Sequence, residues 1–137
     1  MTLFKNAIRC AAGHAAVTSM SGAEEAKIGP PLEYGGSADT LNPEELFVAA
    51  INSCLMLVFQ HIAASSGVMI ESYEASAEGI VEKTRDGLRF TGVSVLAQVK
   101  AGAAATAAKL GELAELKKFC LVSNSVSCPV SYSVTPA

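Results

Sequence analysis

Tryptophan is missing from this sequence, aromatics make up only 6% of it, and no stretch concentrates charge of one sign. The 13 acidic and 10 basic residues give a net charge of -3 and are spread along the chain. No basic block is present that could neutralise a row of phosphates, which argues against nucleic acid as a partner. A Gly-rich phosphate loop and a G-x-S-x-G elbow are both absent. The opening residues, MTLFKNAIRCAAGHAAVTSM, carry Lys5 and Arg9 where a signal peptide needs about 7 to 15 uninterrupted apolar residues, so no export signal is expected. Four cysteines, Cys10, Cys54, Cys120 and Cys128, are too few and too scattered for a disulfide scaffold, and a chain of 137 residues can stand on its core alone. Scattered, unpaired thiols point to the cytoplasm.

What the chain has in quantity is small apolar mass. Half of it is hydrophobic, mostly Ala, Val and Leu, which lets helices approach closely and share surface with a partner subunit. The length fits one domain over residues 1–137. From Leu46 to Ile70 no Asp, Glu, Lys or Arg occurs. That run is long enough for a bilayer, which takes about 20 apolar residues. However, Asn52, Ser53, Gln60, His61, Ser65 and Ser66 interrupt it, and Glu44, Glu45 and Glu71 flank it with no Lys or Arg to anchor it. We read it as a helix buried on nearly all sides in a protein, with dimerisation completing the burial, and not as a membrane span. Asn42 can cap this helix, Pro43 suits its first position, Glu45 sits where a capping box needs it, and Gly67 supplies the stop.

Ahead of the helix, LFKNAIRC and GHAAVTSM are strand-compatible, MSGAEEA reads as a turn, and GPPLEYGGSADT reads as a Gly/Pro-rich loop. Behind it, VMIESYEASAEGIVEK and GLRFTGVSVLAQVKA read as two long strands joined across TRDG, where Asp86-Gly87 is a hairpin signal. AAATAAKLGELAELKKFCLVSNS is rich in helix formers, with Gly111 as its weak point and Cys120 in its last turns. In PVSYSVTP, Val130, Tyr132 and Val134 alternate with Ser131, Ser133 and Thr135 like a half-exposed strand. Strands, helix, hairpin, helix, strand make an α+β order and argue against a doubly wound parallel sheet.

The chemistry rests on thiols. A lone cysteine on an apolar helix is more often inert than reactive, so Cys54 alone proves nothing. Cys120 is followed by Ser123, Asn124 and Ser125, a polar cluster through which solvent and exchange partners could reach it. For metal, the nearest approaches to a ligand pair are Cys10 with His14 and the wider pair Cys120 with Cys128, a weak signal beside paired structural zinc motifs. His61 stands two turns beyond Cys54, about 10 Å along a helix, too far for a direct base-to-nucleophile contact.

The segment NPEELFVAAINSC, residues 42–54, resembles the N-P-E-[EQ]-L-[FLI]-x-A-A-x-x-x-C signature of the OsmC/Ohr family of thiol-dependent peroxide reductases. The likeness extends to the loop with Gly35 and Gly36, to the two strands after the helix, and to a second cysteine at Cys120, at about the interval the family shows. It implies an α+β, OsmC-like fold: an intertwined homodimer with two long central helices per subunit and antiparallel sheets wrapped around them. It further implies Cys54 at the floor of an interface pocket as the peroxidatic thiolate, and an organic hydroperoxide as substrate. Cys120 is then the resolving thiol that condenses with the sulfenic acid. The reductant would be a dithiol such as a dihydrolipoyl group, or another thiol. No metal, flavin or other cofactor is called for. CPVS at Cys128 looks more like the family's C-P-x-S motif than CLVS at Cys120 does, but only nine residues follow Cys128, too few for a helix end and a terminal strand.

In the family an arginine near the peroxidatic thiol lowers its pKa and is held by the acid of the N-P-E motif. Glu44 fills the acid's place, while Gly13-His14 and the loop around Tyr34 stand where the arginine is expected. His14, Arg9, Arg85 and Arg89 are possible replacements, equally readable as surface charges. Glu44 is also readable as a first-turn acid favoured by the helix dipole, about 15 Å along the helix from Cys54. Two function classes follow. One is a thiol peroxidase using Cys54 and Cys120. The other is a non-enzymatic OsmC-like protein that binds a small acyl or thioester-like ligand in the interface pocket, or senses oxidants.

Overall fold

The structure, a computed structural model, describes residues 1–20, 25–103 and 105–137. Two compact units divide the chain, Met1–Phe47 and Val48–Ala137.

In the first unit, β1 (Asn6–Arg9), β2 (Ala16–Met20) and β3 (Ala26–Ile28) form an antiparallel sheet in that order. The first two strands fall inside the segments expected from sequence; β3 was not anticipated. The turn read at MSGAEEA is centred on residues 21–24, outside the described residues. Thr18 is the buried polar residue of this sheet, and its hydroxyl accepts from the Asn6 side chain at 2.8 Å. After β3 a 3₁₀ turn, Leu32–Tyr34, ends on Gly35 at φ 87°, a left-handed conformation open to glycine at little cost. A Cβ on Gly36 would lie 1.7 Å from the Pro30 carbonyl oxygen, so only glycine fits there. Leu41 then returns to β3, donating to Lys27 O and accepting from Gly29 N, both at 2.9 Å.

Helix α1 (Pro43–Ser65) begins and ends as its sequence dictates. The Asn42 side chain accepts from Glu45 N at 2.7 Å, satisfying one of the orphan first-turn donors. At the other end Val68 N donates to Ala63 O at 2.8 Å and Gly67 N to Ala64 O at 3.2 Å, with Gly67 at φ 75°, a Schellman stop. Ala63 and Val68, the two residues this stop brings together, are both in the core. Only one stripe of α1 is buried in the chain, Ile51, Leu55, Phe59 and Ala63, spaced four apart. The expectation of burial on nearly all sides is therefore corrected for the single chain: Leu57 stays 60% exposed. By length and composition alone α1 could cross a membrane.

The second sheet is β4 (Ile70–Thr84), β5 (Gly87–Ala101) and β6 (Val130–Pro136), in that order. β4 and β5 form the expected hairpin, but its turn residues are Arg85 and Asp86, neither at positive φ, and the left-handed residue is Gly87 at φ 99°. The Thr84 hydroxyl donates to Gly87 O at 2.8 Å and accepts from Asp86 N, which braces the turn. β6 pairs with β5 in parallel, so this sheet is mixed and not wholly antiparallel as the family resemblance implied. The intervening helical segment makes the crossover that a parallel pair requires.

That segment is also the place where a second long helix does not form. The stretch read as one helix over 103–125 is α2 (Ala107–Ala114), a 3₁₀ turn (Glu115–Phe119) and α3 (Leu121–Asn124), with Ala104 outside the described residues. Thr106 caps α2 by accepting from Lys109 N at 3.2 Å. Past Ala114 the chain tightens, and Cys120 leaves the helical region at ψ 106°. Helix propensity is overruled here by tertiary demands: the chain must bury Cys120 and then turn into β6. The core joins Phe59, Ala63 and Val68 to Ala97 and Val99 of β5, Leu110, Leu113 and Ala114 of α2, and Val134 of β6. Phe59 lies 5.8 Å from the ring of Tyr73 and edge-on to Tyr132 at 6.2 Å, and the two tyrosine hydroxyls share a hydrogen bond of 2.6 Å.

Candidate active site

Cys54 lies in the middle of α1, one residue before the buried Leu55, and is half-buried. Cys120 is fully buried, with no exposed surface at all, which corrects the expectation that the polar residues after it leave it reachable. Those residues are instead committed inward or to the local backbone. Ser123 donates to the Cys120 sulfur from its hydroxyl at 3.1 Å and its amide at 3.5 Å. Asn124 donates to Lys118 O at 2.6 Å and Ser125 to Leu121 O at 2.8 Å. Cys120 is thus the cap of α3 and not a residue within a helix.

The fold brings these two thiols close enough for Cys120 to act on the Cys54 proton. Both belong to the second unit, Val48–Ala137, and all four cysteines are free. Burial is the main force holding the Cys54 thiol above its ordinary pKa, and the Cys120 thiol pushes the same way. Pulling against them are the nearby backbone N–H groups of Val122 and Leu121, which favour the thiolate. No cation among the described residues takes part in that balance. The first turn of α3 therefore serves both sulfurs: the amides of Leu121 and Val122 face Cys54, and that of Ser123 faces Cys120. Sequence reasoning missed this arrangement, and the serine in CLVS was its one visible trace.

The remaining candidates are placed as follows. Cys128 is half-buried just before β6, and the neighbouring Ser127 hydroxyl accepts from Arg89 at 2.9 Å. Arg9 makes a two-pronged ion pair with Glu25 in the first unit, and that carboxylate holds the Arg9 pKa up. Glu44 is exposed in the first turn of α1. His61 is exposed on α1 and borders an open groove of about 540 Å³ lined by Leu57, Val58, Ile62 and Phe119.

The family model described as OsmC-like protein matches residues 36–135, most of the chain and both cysteines of the pair. The chain belongs to the OsmC-like family. Among solved structures it is similar to an OsmC-like protein of unknown function from Vibrio cholerae, with 26% identity, 98% of this chain and 99% of that one covered, and a TM-score of 0.88. An organic hydroperoxide resistance protein OsmC from Legionella pneumophila shares 20% identity over 100% and 99% of the two chains, with a TM-score of 0.75. The organic hydroperoxide resistance protein OhrB of Bacillus subtilis shares 22% over 99% and 98%, with a TM-score of 0.72. No curated protein matches. The mixed α+β architecture is thus that of the OsmC/Ohr proteins, as the N-P-E segment implied.

Proposed function

We propose that this OsmC-like chain is a cytoplasmic, homodimeric thiol peroxidase that reduces organic hydroperoxides with Cys54 and Cys120. The observation that carries this reading is the proximity of the two thiols, one half-buried and one fully buried, with Cys120 acting on the Cys54 proton. The Cys54 thiolate attacks the terminal oxygen of the hydroperoxide; an S–O bond forms, the O–O bond breaks, and the alcohol leaves with a proton. The Cys120 sulfur then attacks the Cys54 sulfenic acid, forming the disulfide and releasing water, which stops further oxidation of Cys54. A dithiol such as a dihydrolipoyl group returns two electrons and two protons by exchange. Cys120 is the resolving thiol in preference to Cys128, since it is Cys120 that lies close enough to Cys54 to act on its proton. With no cation among the described residues acting on the thiol, the Leu121 and Val122 amides stabilise the thiolate.

A second reading draws on the groove beside His61, whose lining is largely apolar and suits an acyl chain of a bound, unreacted ligand. One assay separates the two: loss of cumene hydroperoxide with dihydrolipoamide, comparing wild type with Cys54→Ser, Cys120→Ser and Glu44→Gln. Turnover that vanishes in Cys54→Ser, with Cys120→Ser forming no intramolecular disulfide, is the expected result. A wild type no faster than Cys54→Ser would sink the peroxidase and leave the ligand-binding reading.

A further inference from the structure

Resetting the redox pair requires one sulfur to receive the reductant and the other to leave, and the two cysteines are not equivalent for this. Cys54 is partly open to solvent, whereas Cys120 has no exposed surface. An external thiol can therefore attack only the Cys54 sulfur, and the electron pair of the broken disulfide must go to Cys120. The group waiting for it is Ser123, whose hydroxyl and amide both point at the Cys120 sulfur, at 3.1 and 3.5 Å. Hydrogen bonds to an ionised acceptor are roughly twice as strong as neutral ones, so these two donors act most strongly on a departing thiolate and least on a disulfide sulfur. The leaving-group sulfur is one of the factors that set the rate of thiol–disulfide exchange.

We infer that Ser123 is a positioning residue for the reset step, holding the Cys120 sulfur as the leaving thiolate and biasing the pair toward the dithiol. Attack by the reductant forms a mixed disulfide on Cys54 and breaks the Cys54–Cys120 bond; Cys120 then takes a proton from water. The second thiol of the reductant displaces Cys54 and leaves as a cyclic disulfide, so two electrons and two protons are transferred in all. The inference rests on the proposed redox pair but not on peroxide chemistry.

The test uses the full chain with Cys10→Ser and Cys128→Ser, so that one disulfide alone can form, oxidised with an excess of glutathione disulfide. The rate of reduction by dithiothreitol and the equilibrium position in mixtures of reduced and oxidised glutathione are read by alkylation and mass. Ser123→Ala is expected to slow reduction about fivefold and to shift the equilibrium about fivefold toward the disulfide, as one lost hydrogen bond implies. Ser123→Thr, which keeps a hydroxyl, is expected to restore most of both. Equal rates and equilibria in wild type and Ser123→Ala would overturn the inference, as would a parent protein that forms no Cys54–Cys120 disulfide. Because no hydroperoxide is present, this result and the fate of the peroxidase are read separately.

Discussion

At the scale of single residues, Cys54 and Cys120 differ in their surroundings more than in their chemistry. Burial and the neighbouring thiol hold the Cys54 proton on, and the two amides of α3 loosen it. With its pKa above the ordinary 9.0, Cys54 is mostly neutral at pH 7, and its thiolate fraction keeps growing as pH rises through and beyond 9.0. The single-turnover rate with a hydroperoxide is therefore expected to climb about tenfold per pH unit between pH 7 and 9; a flat profile over that range would show that another group activates the thiol. Cys120→Ala removes the contributions of the neighbouring thiol, so the same profile is expected to move to lower pH. The tyrosine pair is a second case of surroundings overriding chemistry: burial raises the pKa of both phenols, and their shared hydrogen bond keeps two half-buried hydroxyls satisfied beneath β4 and β6.

At the scale of elements, local signals read correctly where the cause is local. Asn42, Pro43 and Glu45 start α1, Gly67 stops it, and the geometry at both ends is that of caps. Asn42→Ala is expected to cost about 1 kcal/mol of unfolding free energy, measured by urea denaturation, because Glu45 N loses its acceptor in a position where Asn42 itself is buried. Alternation in β5 and β6 likewise shows directly as burial of Val93, Val95, Ala97, Val99 and Val134. The segment from Ala107 to Asn124 was illegible for the opposite reason. Ala, Leu, Glu and Lys favour a continuous helix by a few tenths of a kcal/mol each. Burying Cys120 and starting a parallel strand outweigh that sum, so the helix breaks at Ala114.

At the scale of the whole molecule, α1 leaves apolar side chains uncovered, with Leu57 60% exposed and lining, with Val58, Ile62 and Phe119, an open groove. The homodimer in the proposed function would cover it with a second copy. Leu57→Glu is accordingly expected to shift the protein from dimer to monomer in analytical ultracentrifugation; a variant of unchanged mass would place the interface elsewhere. The sequence by itself determined the family through the N-P-E segment and Cys54, the caps of α1, the long hairpin and the terminal strand, because each depends on residues close together in the chain. Only the tertiary structure decided that β6 runs parallel to β5, that Cys120 is sealed from solvent, and that Ser123 and the amides of Leu121 and Val122 attend the two sulfurs. These depend on where distant segments meet, and spacing along the chain carries no record of which donor will face which sulfur.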